Sequence, residues 1–72
     1  MTIAHRLKTL RTMRGLSQEE LAQKTGIPNT YLSLMETGKV IPAGDWEARI
    51  REALGWTPDV DAKLDELNQE NP

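Results

Sequence analysis

Apolar residues along the chain recur mostly three and four positions apart. Ile3, Leu7 and Leu10 make one stripe, and Leu32 and Met35, preceded by Ile27, make a second. Trp46, Ile50, Ala53 and Leu54 make a third, and Val60, Leu64 and Leu67 a narrow fourth. Such spacing gathers apolar side chains on one face of an amphipathic helix, where they are buried together. No run shows the alternation of a half-buried strand or the turn chemistry of a hairpin. The pattern therefore predicts an all-α chain of about five helices, covering about residues 3–14, 17–24, 28–37, 45–54 and 58–69.

Polar and special residues punctuate these stripes. Thr2 stands where it caps the first helix, which ends near Arg14-Gly15. Ser17 and Glu20 form a capping box, each satisfying a backbone N–H that the first turn leaves unpaired. Gly26 admits the left-handed conformation that stops the second helix, and Pro28 presets the backbone for the third. Beyond the loop from Lys39 to Gly44, Asp45 is expected to cap the fourth helix, which closes at Gly55. Thr57-Pro58, a cap followed by proline, opens the fifth. Residues 1–67 read as one domain with its central motif at about 17–37, and residues 68–72, NQENP, as a frayed polar tail.

The stretch SQEELAQKTGIPNTYLSLMETG organises the rest. Only Gly26, Ile27 and Pro28 separate its two helices, and a connection this short forces a steep crossing, which small Ala22 accommodates. With Ile27, Leu32 and Met35 facing inward, a rotation of about 100° per residue puts Thr30, Ser33, Leu34 and Thr37 opposite, with Asn29 at the exposed amino end. A helix anchored on one side and mostly polar on the other suits insertion into a DNA major groove.

Composition narrows the choices. A chain of 72 residues supports one modest core and no large catalytic architecture. The absence of cysteine removes disulfide and thiolate-metal chemistry. No apolar run approaches the roughly 20 residues of a bilayer span, and the amino terminus has no signal-peptide pattern. A soluble cytoplasmic protein without a membrane partner, nucleoid-associated when bound to DNA, is expected. Net charge is −2, but its distribution is uneven. Residues 1–40 carry six basic residues against Glu19, Glu20 and Glu36, a net of +3, whereas residues 41–72 carry a net of −5. A basic half that holds the motif is the asymmetry expected when one face meets phosphate. Arg6, Lys8 and Arg14 line the polar side of the first helix and belong to that face. A surplus of +3 provides few phosphate contacts per monomer, which points to a dimer on DNA.

Other chemistry is sparse. His5 has no second His, Cys or spaced carboxylate and reads as an ordinary surface residue. Glu19 and Glu20 are adjacent, so on a helix their carboxylates point apart, and no nucleophile, base or metal set accompanies them. No enzyme activity, cofactor or metal is expected.

The segment RLKTLRTMRGLSQEELAQKTGIPNTYLSLMETGK resembles the lambda-repressor-like, Cro-type (XRE) helix-turn-helix family through GLSQEELA, the Ala22/Gly26 spacing, YLS and the E-x-G-K ending. PAGDWEARIREALGW extends the likeness more loosely, so that it covers about residues 3–60. The resemblance implies a compact bundle of four or five helices whose helices 2 and 3 bind double-stranded operator DNA, usually as a homodimer. It further implies that Gln18 contacts the DNA backbone and that Asn29, Thr30, Ser33 and Leu34 read base edges. Asn29 is suited to pair bidentately with adenine. Tyr31 at the helix flank is placed for a phosphate, and Arg14 and Lys39 for positioning contacts. Arg11 and Glu36 correspond to an ion pair between the first and third helices, whose role is architectural.

Two departures separate the chain from that pattern. Residues 28–37 contain no Lys or Arg, and Leu34 stands where relatives often carry a basic or amide side chain. Leu34 suits a thymine methyl, but together with Val40 and Ile41 it equally suits a protein-binding patch. The leading expectation is a sequence-specific DNA-binding regulator, a bacterial or phage repressor. The alternative is a protein–protein interaction module on the same fold. The stripe of Val60, Leu64 and Leu67 either packs on its own domain or meets a second copy as a dimer contact.

Overall fold

A computed structural model describes the backbone of residues 1–69 and the side chains of residues 1–67. Five helices follow one another: α1 (Ile3–Met13), α2 (Gln18–Thr25), α3 (Asn29–Glu36), α4 (Gly44–Leu54) and α5 (Pro58–Gln69). No strand occurs among the described residues. The expected tail begins inside α5, which includes residues 68 and 69, and its last three residues lie outside the described ones.

Local chemistry sets most helix ends. Thr2 Oγ1 accepts from the His5 amide at 3.1 Å. Ser17 Oγ accepts from the Glu20 amide while Glu20 Oε1 accepts from the Ser17 amide, both at 3.0 Å, closing the box. Those bonds, the backbone one first, hold the Glu20 carboxyl below its usual pKa range. Gly26 takes φ +74° and donates its N–H to the Ala22 carbonyl at 2.8 Å. The start of α4 departs from expectation. Ala43 occupies the cap position without a side-chain bond, and Asp45 lies inside the first turn, paired with Arg49 at 2.7 Å. A carboxylate there meets the partial positive charge of the unpaired amides, which rewards Asp45 without its being the cap.

The core gathers Leu7 and Leu10 of α1, Leu21 of α2, Leu32 and Met35 of α3, Ile50 and Leu54 of α4 and Leu64 of α5. Ile27 in the turn and Trp56 between α4 and α5 complete it. Each such aliphatic side chain removed from water contributes about 1.5–3 kcal/mol before the cost of ordering. Ile3, expected on the inward stripe, is 42% exposed and lines an open groove with Val40 and Ile41.

Helix α5 is attached by one buried leucine and a charged clasp. Leu64 is 2% exposed, so the expected dimer stripe is mostly spent within the chain: Val60 packs against the core as well, and Leu67 stays half-exposed. Arg6 reaches across from α1 to Asp61 at 2.8 Å and also meets Asp65, which removes it from the expected phosphate-facing side. Trp56 Nε1 donates to the same Asp61 carboxylate at 2.7 Å, and the Arg51 guanidinium sits 4.4 Å from the Trp56 ring centroid. Burial pushes the Asp61 carboxyl up, but the Trp56 and Arg6 hydrogen bonds and the charges of Arg6 and Arg51 outweigh it and leave its pKa lowered.

Candidate nucleic-acid interface

Helices α2 and α3 meet through the three-residue turn, and that turn is braced from two sides. Thr25 is buried. Its Oγ1 donates to the Leu21 carbonyl at 2.8 Å and accepts from the Ile27 amide at 3.3 Å, which ties the end of α2 to the turn. Arg49 Nη1 on α4 donates to the Thr25 carbonyl at 3.2 Å, satisfying a helix-end acceptor. Neither residue is singled out by sequence reasoning. A threonine just before a stop glycine is the local signal for the first, since its hydroxyl bonds back to the i−4 carbonyl.

The turn sets how α3 is presented. Its inner side buries Leu32 and Met35, while Asn29, Thr30, Ser33 and Thr37 are exposed and Leu34 is half-buried. Leu34 is shielded because it lies at the border of the outward face, about 40° from Thr30 on a regular helix. Thr37 Oγ1 donates to the carbonyls of Ser33 and Leu34, both at 3.1 Å. Tyr31 flanks this face and meets Trp46 of α4 edge-on, with ring centroids 5.2 Å apart and planes at 62°. That arrangement is favourable for two aromatic quadrupoles and fixes the Tyr31 ring at the rim. Trp46, read from sequence as part of a core stripe, does pack against the core but stays half-buried, and it also supports Tyr31.

Beneath α3 runs a polar network. Glu36 is nearly buried, with 3% of its side chain exposed. Arg11 Nε donates to Glu36 Oε2 at 2.7 Å and Arg11 Nη2 to Glu36 Oε1 at 3.0 Å, a bidentate pair. Arg11 Nη1 continues to the Leu16 carbonyl at 2.7 Å. The Glu36 hydrogen bond raises the pKa of Arg11, outweighing burial. Gln18 Nε2 donates to Glu36 Oε1 at 3.1 Å, so the first residue of α2 is tied to the last residue of α3.

The remaining residues of interest separate. Arg14 Nε donates to the Leu54 carbonyl at 2.9 Å and so braces the end of α4. Lys39 is exposed directly after the third helix, and Lys8 is exposed on the first; neither forms an ion pair among the described residues. The three residues of the expected apolar patch differ in exposure. Val40 packs against the core and shares a groove with Ile41, which is 74% exposed, while Leu34 is half-buried and does not line that groove. The groove is open, about 650 Å³ in volume, and Ile3 and Lys8 also line it.

Two short helices, a three-residue turn stopped by a left-handed glycine, and a second helix buried on one side and bare on the other define a helix-turn-helix, a DNA-binding fold. The chain belongs to a helix-turn-helix domain family of the lambda-repressor-like (XRE) class, whose profile matches residues 2–64. No curated protein and no solved structure shows significant similarity to the chain. No helix among the described residues is long and apolar enough to cross a membrane.

Proposed function

We propose that the protein is a sequence-specific transcriptional regulator, a repressor that binds operator DNA as a dimer through the major groove and catalyses no reaction. The observation that carries this reading is the outward face of α3, where Asn29, Thr30 and Ser33 are exposed together and backed by a firm core. In this reading those residues and Leu34 meet base edges. Gln18, Tyr31 and Lys39 meet phosphates, and Arg14 adds a weaker contact through the guanidinium nitrogens that Leu54 does not engage. Arg11 and Glu36 take no part in contact and hold α3 in place.

Electrostatics supports modest affinity. Of the cations in the basic half, Arg6 is paired with Asp61 and Asp65, and Arg11 with Glu36. Each phosphate neutralised adds about −0.9 to the log–log salt slope, so a monomer with few such contacts binds weakly, and its affinity falls with salt in proportion to that small number. A dimer spanning half-sites about 34 Å apart doubles the contacts. Leu64 is buried in its own chain, so it is not itself available to a second copy.

A second reading, protein binding, is favoured by one feature, the exposed Ile41 beside its groove. Titration of isotope-labelled protein with a random duplex of about 20 base pairs at low salt separates the two, since that length holds two half-sites. Amide shifts centred on Gln18, Asn29–Leu34 and Lys39, and absent around Ile3, support DNA binding. A spectrum that does not move refutes it.

A further inference from the structure

We infer that the outward face of α3 reads A·T base pairs and offers G·C pairs no discriminating partner, with Leu34 set against a thymine methyl. The inference rests on the DNA-binding reading above and specifies the class of site that it requires.

Each base edge in the major groove needs a different side-chain partner. Guanine is read by a cation donating to O6 and N7, and cytosine by a carboxylate accepting from N4. Helix α3 contains no Lys or Arg, and its one carboxylate, Glu36, is nearly buried and already accepts from Arg11 and Gln18. The guanidinium beneath α3 is equally unavailable: Arg11 spends Nε and Nη2 on Glu36 and Nη1 on the Leu16 carbonyl. Swinging it into the groove would leave Glu36 as an unpaired buried charge, which is costly. Of the cations left, Arg14 is tethered through Nε to the Leu54 carbonyl, and its other nitrogens and Lys39 meet phosphates in the reading above; the Thr37 hydroxyl already donates to two backbone carbonyls.

Adenine and thymine find the opposite situation. Asn29 is exposed at the first residue of α3, and its amide offers both the acceptor for adenine N6–H and the donor for N7. The C5 methyl of thymine is the apolar group that this groove presents, and half-buried Leu34 and the methyl of Thr30 are the apolar atoms one helical turn apart on the outward side. Ser33, which can donate to or accept from any base, adds no discrimination.

The test begins with selection of bound duplexes from a random pool at low salt. Each thymine of the selected sequence is then replaced by deoxyuridine, which keeps pairing and removes only the methyl. Affinities are measured by fluorescence anisotropy for the unaltered protein and for Leu34→Ala. The expected result is A·T enrichment in both half-sites. One thymine position is expected at which loss of the methyl weakens binding about fourfold, the value of one buried carbon, and at which Leu34→Ala no longer distinguishes the two bases. Guanine or cytosine enrichment, or indifference of the unaltered protein to every substitution, overturns the inference; that comparison needs no variant to fold. If DNA still binds and Asn29→Ala abolishes it, only the A·T assignment has failed. If no duplex is retained at low salt, the DNA-binding reading fails with it.

Discussion

Gln18 Nε2 lies 3.1 Å from Glu36 Oε1, the same oxygen that Arg11 Nη2 approaches at 3.0 Å. One nearly buried carboxylate thus joins α1, the start of α2 and the end of α3. It fixes the position of Gln18, whose remaining N–H and carbonyl oxygen stay available beyond the network. Removing the carboxylate leaves the Arg11 guanidinium largely buried without its partner. Glu36→Ala is expected to lower unfolding stability by about 3 kcal/mol, measured by urea denaturation. Combining it with Arg11→Met should recover much of the loss, because no unpaired charge then remains. Equal losses for the single and double variants would show that the pair is not the cause.

Leu64 anchors α5 in the core, so Leu64→Ala creates a cavity. It should cost about 2–5 kcal/mol, with the dependence of the thermal midpoint on protein concentration unchanged from that of the unaltered protein. A midpoint that rises strongly with concentration in the unaltered protein, and not in the variant, would instead place Leu64 between two copies.

Acid should loosen the α5 clasp. The Asp61 pKa is lowered in the folded chain, so the stability it contributes is fully present above the unfolded value of about 3.9 and is lost as pH falls through the lower folded value. Arg6, whose pKa is raised, stays charged throughout this range. Asp61→Asn should therefore lower stability at neutral pH by about 1 kcal/mol and flatten the decline below about pH 4. Parallel acid limbs for the two proteins would contradict this assignment.

Tyr31 and Trp46 make separable contributions. Tyr31→Phe keeps the ring contact and removes only the hydroxyl, so stability should hold while affinity for a selected duplex falls about fivefold, the worth of one modest hydrogen bond. Trp46→Ala should lower both stability and affinity, since it removes the support of the ring. Equal affinity for Tyr31→Phe and the unaltered protein would remove the hydroxyl from the interface.

What the sequence discloses follows how local each cause is. The Ser17–Glu20 box and the Gly26 stop act within three or four residues, so they are legible without the fold. The faces of α3 are legible too, because one helical period relates Leu32 and Met35 to Thr30 and Ser33. Asp45 misleads because a carboxylate is favourable both at the cap and just inside it. Arg6 misleads for another reason: nothing near it in sequence discloses Asp61, some fifty-five positions away. Trp46 is only half-buried and Trp56, outside every helical stripe, is enclosed, because packing between helices decides which ring is covered. The missing cations of α3 are plain in the sequence, but that Arg11 cannot replace them is visible only once its bonds to Glu36 are known.

The central claim is that the uncharged outward face of α3 binds duplex DNA. Its most direct test is anisotropy titration of a selected duplex at low salt with the unaltered protein, Asn29→Ala and Ile41→Ala, each checked for unchanged helicity. The account predicts that Asn29→Ala loses binding by about tenfold or more, the worth of one bidentate base contact, while Ile41→Ala binds like the unaltered protein. Equal binding by the unaltered protein and Asn29→Ala, or a loss confined to Ile41→Ala, would contradict it.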